Sequence, residues 1–277
     1  MLIFFCDSDK DDLYTLCLLS NLHKKSKIKL EGIVIDDGFL DIEEGLKLVS
    51  FWCKLLNLEV TLFKGSKRDN SRKFPESFIT SYLKEMKEEF NYLSNEKVEG
   101  KELKELDVED KIAFVTGPLT TVAALDFNKF KRIHVMGGNY MVQGNIESGE
   151  YNVWLNSQSY DKVLKEYKGL FTICPLDCTN YTPLNKKIVD KIKDKESLLY
   201  RLLKTTLKTI NTDLYMWDLT ALVTLLRPNI CKYKLIKVNV ADGGYFYYNK
   251  KGKKVYLFDY INLKKMLKYV NYVNSIL

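Results

Sequence analysis

The chain has 277 residues, 46% of them hydrophobic, and five prolines. That suffices for one sizeable core and excludes a disordered composition. The net charge of +7 comes from scattered lysines, so no nucleic acid polymer is expected as a partner. No apolar run approaches the ~18 residues of a membrane span and no signal-peptide pattern opens the chain, so a single cytoplasmic domain over residues 1–277, without membrane contact, is expected.

Leu2-Ile3-Phe4-Phe5 predicts a buried strand, and it runs into Cys6-Asp7-Ser8-Asp9-Lys10-Asp11-Asp12. Carboxylates this crowded raise one another's pKa unless something positive lies among them, and a divalent cation is the usual remedy. A helix over residues 13–22 follows. Asp is also a good N-cap, which accounts for one or two of these residues but not for all.

A second strand over residues 29–35 again ends in acids, Asp36-Asp37-Gly38. Ile42, Leu46, Val49, Cys53 and Leu56 fall on one helical face. A third strand (60–63) and a basic loop (65–73) lead through Phe74-Pro75 to a helix with Phe78, Tyr82, Met86 and Phe90 on one face, and residues 91–110 read as a surface excursion. A strand over 112–115 turns through Thr116-Gly117-Pro118-Leu119-Thr120 into a helix, and another over 133–136 ends in Gly137-Gly138. This alternation predicts an α/β fold: an open, mostly parallel sheet with helices on both faces and the site at the carboxyl ends of the strands.

Residues 137–156 carry Asn139, Asn145, Glu150, Asn152 and Asn156, the composition of a binding loop. A helix (157–167), a strand (170–174), Pro175-Leu176-Asp177 and helices over 186–211 with a break near Asp194 come next. Trp217-Asp218 opens a helix that stops at Arg227-Pro228. Residues 245–256 interleave aromatics with lysines, and we read them as a hairpin with an Asn/Gly turn rather than a single-strand nucleic-acid groove. The six cysteines lie mostly in apolar stretches, as reduced core thiols do. Cys174 and Cys178 lack the second pair a zinc site needs. His23, in a lysine-rich surface loop, and His134, in a strand, are expected to be solvated or structural, and Trp52 and Trp154 structural.

Five segments together resemble the inosine-uridine-preferring nucleoside hydrolases, calcium-dependent N-ribohydrolases, in order and over nearly the whole chain. Asp7, Asp11 and Asp12 meet the spacing of that family's acidic motif; Thr116-Gly117-Pro118-Leu119-Thr120 looks like its threonine-glycine turn; Met136-Gly137-Gly138, Gly144-Asn145 and Glu150-Tyr151-Asn152 are similar to its ribose loop; and Pro175-Leu176-Asp177-Cys178-Thr179 and Trp217-Asp218 match later landmarks. The resemblance implies Ca²⁺ held by Asp7, Asp12, Asp218 and the backbone carbonyl of Thr116, an all-oxygen set. It implies that Asp7 takes a proton from a calcium-bound water attacking the anomeric carbon. Asp11, Asn145, Glu150 and Asn152 would grip ribose hydroxyls, Met136 would line the substrate site, and the protein would be a homodimer or homotetramer.

Departures are Phe5 in place of a further Asp, Ser8-Asp9 in place of Pro-Gly, and Asp37-Gly38-Phe39 in place of Gly-Asn, with Asp36 or Asp37 as substitutes. An alternative register uses Asp9 instead of Asp7. Trp217 stands where many members place a histidine, which implies a purine stacked on its ring. A non-catalytic nucleoside or sugar sensor and a Mg-dependent haloacid-dehalogenase-type phosphatase are the alternative readings.

Overall fold

The computed structural model describes residues 1–69, 72–93, 95, 97–209 and 214–275. Its strands are β1 (Leu2–Cys6), β2 (Leu30–Ile35), β3 (Thr61–Lys64), β4 (Ile112–Val115), β5 (Arg132–Met136), β6 (Leu170–Cys174), β7 (Pro183–Leu184), β8 (Leu214–Tyr215), β9 (Cys231–Val240), β10 (Phe246–Tyr248) and β11 (Lys253–Ile261). Its helices are α1 (Lys10–Lys24), α2 (Ile42–Leu55), α3 (Glu76–Phe90), α4 (Thr120–Ala124), α5 (Tyr151–Leu155), α6 (Ser157–Glu166), α7 (Leu176–Thr179), α8 (Lys186–Val189), α9 (Leu198–Thr209), α10 (Trp217–Leu226) and α11 (Leu263–Asn274).

One nine-stranded sheet runs in the order β10-β9-β11-β6-β5-β4-β1-β2-β3, and β7 and β8 form a separate pair. Every pairing from β11 to β3 is parallel, while β9 and β10 extend the sheet antiparallel. A strand buried on both faces needs apolar residues at every position, and β1 meets that need. Leu2, Phe4 and Cys6 face a core shared with α1, α2, α9, α10 and α11, and Ile3 and Phe5 face a second core shared with α4 and α6. Phe5 is fully buried edge-on against Phe130, so the position that carries an acid in the resembling family is core here. The chain leaves β1 toward β2 on one side and returns in β4 on the other. The carboxyl ends of β1 and β4 therefore form the switch point where open α/β sheets bind ligands.

Four details differ from the sequence reading. Residues 245–256 are not a hairpin: β10 and β11 lie on opposite edges of β9, because a ten-residue strand offers a full ladder on each side. Tyr82, Met86 and Phe90 are buried as expected, but Phe78 is 62% exposed one turn before them. His23 closes α1 rather than lying in a loop, and its Nδ1 accepts from the Leu30 amide at 3.1 Å. The 91–110 excursion is tied to the sheet by a bridge between Phe63 and Lys101. The break near Asp194 falls between α8 and α9, whereas Asn211, and Asn70 and Ser71 of the basic loop, lie outside the described residues.

Candidate active site

The site begins where β1 stops. Ser8 takes φ +68°, which turns the chain sharply and which proline cannot adopt. Asp9 then N-caps α1, accepting from the amides of Asp11 (2.9 Å) and Asp12 (3.2 Å), and the Asp12 carboxylate returns the favour to the Asp9 amide. Asp12 Oδ2 also accepts from the Asp7 amide at 3.1 Å, and its Oδ1 from the Thr116 hydroxyl at the end of β4. Asp7 Oδ2 accepts from the Phe39 amide at 3.0 Å. Gly38 is the residue that lets this loop close: a Cβ there would come within 2.3 Å of Asp7. Asp218, in the first turn of α10, donates its amide to Asp11 Oδ2 at 3.1 Å, so the N-terminal ends of α1 and α10 converge on the cluster.

Asp7, Asp11, Asp12 and Asp218 are each at most 5% exposed. Carboxylate oxygens of Asp7, Asp9 and Asp12 lie within 4.8 Å of one another, as do those of Asp9, Asp11 and Asp218. No cationic side chain among the described residues pairs with these four buried acids. Burial first, and neighbouring carboxylates second, push Asp7, Asp11 and Asp218 well above the usual carboxylate range, and burial followed by Asp9 raises Asp12 to about 7. Asp36 adds another buried acid nearby: Thr121 donates to its Oδ1, and Oδ2 has no hydrogen-bond partner among the described residues. Asp37 is instead engaged by the Arg68 backbone amide (2.9 Å) and guanidinium. An all-oxygen donor set with excess negative charge and no countercharge fits a hard divalent cation.

The remaining expected residues fall in two groups. Asn152 Nδ2 donates to the Thr116 carbonyl (2.8 Å) and to Met136 Sδ (3.5 Å), which ties the polar loop to the ends of β4 and β5. Glu150 caps α5, accepting from Gly138 (2.7 Å), Asn152 (2.9 Å) and Val153 (3.1 Å) amides, and burial raises its pKa. Asn145 is exposed, with Oδ1 accepting from the Tyr151 amide. Asp177 holds the loop from below through the Tyr140 and Met141 amides, both at 2.8 Å. Beside the carboxylates opens a cavity of about 400 Å³ lined by Asp9, Asp11, Trp217 and an aromatic wall that includes Phe39, Phe74 and Tyr82. Trp217 Nε1 is buried without a partner among the described residues, and the residue lines the cavity. Sequence reasoning missed Asp9 as a member of both carboxylate groups and Phe78 as cavity lining; the signals were the cap position and the Phe74-to-Phe78 spacing on a short loop and helix turn.

A parallel sheet whose switch point holds a buried, metal-competent carboxylate cluster beside an aromatic cavity defines a small-molecule enzyme site of the α/β class. The model of the family described as inosine-uridine preferring nucleoside hydrolase matches residues 2–268, and the chain belongs to that family of N-ribohydrolases. The structure is similar to that of an inosine-uridine preferring nucleoside hydrolase from Bacillus anthracis (TM-score 0.82, 18% identity, covering 99% of this chain and 98% of that one). It is also similar to a plant nucleoside hydrolase (0.83, 13%, 100% and 99%) and to a purine-preferring ribonucleoside hydrolase from Gardnerella vaginalis (0.78, 17%, 100% and 99%). No curated protein matches the chain by sequence. Among the described residues no helix is long and apolar enough to cross a membrane.

Proposed function

We propose that the protein hydrolyses the N-glycosidic bond of ribonucleosides, purines preferred, in a calcium-dependent reaction that yields ribose and free base. The observation that carries this reading is the quartet of buried carboxylates, with no ion-paired cation among the described residues, beside an aromatic cavity that one of them, Asp11, lines. Asp7, Asp12, Asp218 and the Thr116 carbonyl would hold the ion; Asp7 and Asp12 fall in one carboxylate group and Asp218 in the other, and Asp9, which belongs to both, is close enough to join them. When bound, calcium supplies a hard Lewis acid that makes water more acidic and anchors sugar hydroxyls.

Asp7, held in place by the Phe39 amide, accepts the proton of the attacking water. Asp11, fixed by the Asp218 amide and open to the cavity, takes a ribose hydroxyl. Asn145, Asn152 and Glu150 complete the sugar contacts beside Met136; a carboxylate has about four acceptor sites, so capping α5 does not exhaust Glu150. Holding the ring in this way favours an oxocarbenium-like transition state. The Trp217 ring stacks on the departing purine. The free, mostly buried thiols suit a cytoplasmic setting, and the resemblance further implies a homo-oligomer.

The test is release of free base from inosine, guanosine, adenosine and uridine, with and without a calcium chelator. Purine-selective, chelator-sensitive release is expected. Calcium-dependent binding without release would point to a sensor, and phosphate release from a monophosphate to a phosphatase.

A further inference from the structure

The nucleoside reading leaves one chemical demand unmet. When the bond from C1′ to the base nitrogen breaks, its electron pair stays on the base, and a donor there lowers the barrier. Neither histidine can serve. His134 is buried in the sheet with Nδ1 2.7 Å from Thr172 Oγ1 and Nε2 2.9 Å from the Ala221 carbonyl, and His23 closes the far end of α1. Among the other donors around the cavity, the Tyr14 hydroxyl is engaged with Thr206 (2.6 Å), the Tyr82 hydroxyl with the Ser8 carbonyl (3.1 Å), the Trp217 N–H is buried, and the hydroxyls of Ser81 and Tyr215 are neutral.

One cation among the described residues lines this cavity, Lys10. It sits between Asp9 and Asp11 in sequence, so its backbone lies beside the carboxylate assigned to ribose. Its side chain leaves the acidic cluster, passes the Tyr82 ring (5.8 Å from the centroid) and forms an ion pair with Glu85 of α3. The Lys10 side chain is 17% exposed and that of Glu85 4%, so the pair is largely desolvated, where a charged donor acts more strongly than in water. Both residues of the pair line the cavity together with Trp217 and Phe74. A base projecting from a sugar held at Asp11 enters this space with Trp217 and Lys10 as its neighbours.

Building on the nucleoside-hydrolase reading, we propose that Lys10 is the hydrogen-bond donor to the departing base, acting on the electron pair released as the glycosidic bond breaks, and that Glu85 is the residue that positions it. The ammonium remains protonated in this role: it donates a hydrogen bond to a ring nitrogen or carbonyl oxygen of the base, and the final proton comes from solvent. An ammonium carries three donors, so an ion pair with Glu85 and a hydrogen bond to the base are compatible. Pyrimidines and purines both present acceptors, so Lys10 serves either, whereas Trp217 discriminates between them.

The test compares inosine, a poor leaving group, with 4-nitrophenyl β-D-ribofuranoside, whose phenolate departs without a donor. In Lys10→Met, kcat on inosine should fall about 100-fold while the aryl riboside changes by less than about threefold. Because Lys10→Met costs Glu85 its ion pair, Lys10→Met/Glu85→Gln is assayed beside it, with the same split expected. Glu85→Gln alone should lower kcat on inosine with a smaller effect on the aryl riboside. A parallel loss on both substrates in the single and the double variant would make Lys10 a brace of the acidic cluster, and unchanged inosine turnover would leave it without a role; either result overturns the proposal. Wild-type protein that cleaves neither substrate with calcium present would overturn the nucleoside reading itself, and this proposal with it.

Discussion

In the middle of β5, His134 is sealed from solvent with both ring nitrogens in contact with protein oxygens, from Thr172 on one side and Ala221 and Thr224 on the other. At the end of β1, Asp7, Asp11, Asp12 and Asp218 are just as buried, yet they share a few backbone amides and face one another. The histidine environment is complete: burial and Arg132 hold it neutral, well below its ordinary pKa. The carboxylate environment is incomplete, because burial and like charge oppose the ionised state and no cation among the described residues pairs with them. A buried polar group that the protein satisfies by itself is architecture; one that it leaves short of a partner is prepared for something else.

Turnover separates the two regions most sharply. Asp7→Asn keeps the size of the side chain but removes the proton acceptor and one charge, and nucleoside hydrolysis should fall by about 10³-fold or more, measured as base released per enzyme. A loss below about tenfold would move the base role elsewhere, with Asp9 the first candidate.

The two regions should also respond to pH with opposite sign. In metal-free protein the folded-state pKa of Asp7, Asp11, Asp12 and Asp218 is raised, so the folded chain binds protons that the unfolded chain has released. Stability should therefore be highest at low pH and fall as pH rises from the ordinary carboxylate range through the folded values, about 7 for Asp12. His134 works the other way. Its folded pKa lies below 6.5, so the unfolded chain takes up the proton first, and that contribution is lost as pH falls below about 6.5. Thermal unfolding of chelated protein from about pH 5 to about pH 8 should show Tm declining over the upper half of the range, and added calcium should abolish the decline. A decline that persists with calcium added would mean that calcium does not relieve these acids.

The smallest effect is expected from His134→Leu. It removes hydrogen bonds to Thr172 and Ala221 and should cost about 1–3 kcal/mol of unfolding free energy by urea titration, with kcat/KM unchanged. A selective loss of kcat/KM would erase the distinction between the two regions.

Most of the site was legible because its residues are close in sequence or stand at strand ends. The β1 run and the acids after it, Thr116 after β4 and Asp218 after Trp217 each carry a local signal, and parallel topology brings strand ends together. What could not be read depends on contacts between distant residues. Glu85 meets Lys10 across 75 positions. The partner of β10 is set by which edge of β9 is available, not by the Asn249–Gly252 turn that suggested a hairpin. Phe78 shares helical spacing with Tyr82 and Met86, but the periodicity of α3 cannot say that its first turn borders a cavity instead of core. Asp9 was legible as a cap but not as a neighbour of Asp218, which is more than two hundred residues further along.

The first turn of α1 has a consequence for how the protein is loaded. Asp9 and Asp12 start the helix with carboxylates that also belong to the acidic cluster, and Asp7 is tied to Asp12 through its amide. Nucleating a helix is the costly step in forming it, so an ion held by these carboxylates would also brace the first turn of α1, a helix that packs against α10 and α9. Heating and chelation of calcium-loaded protein should then open the same segment first, read by hydrogen exchange of the α1 amides.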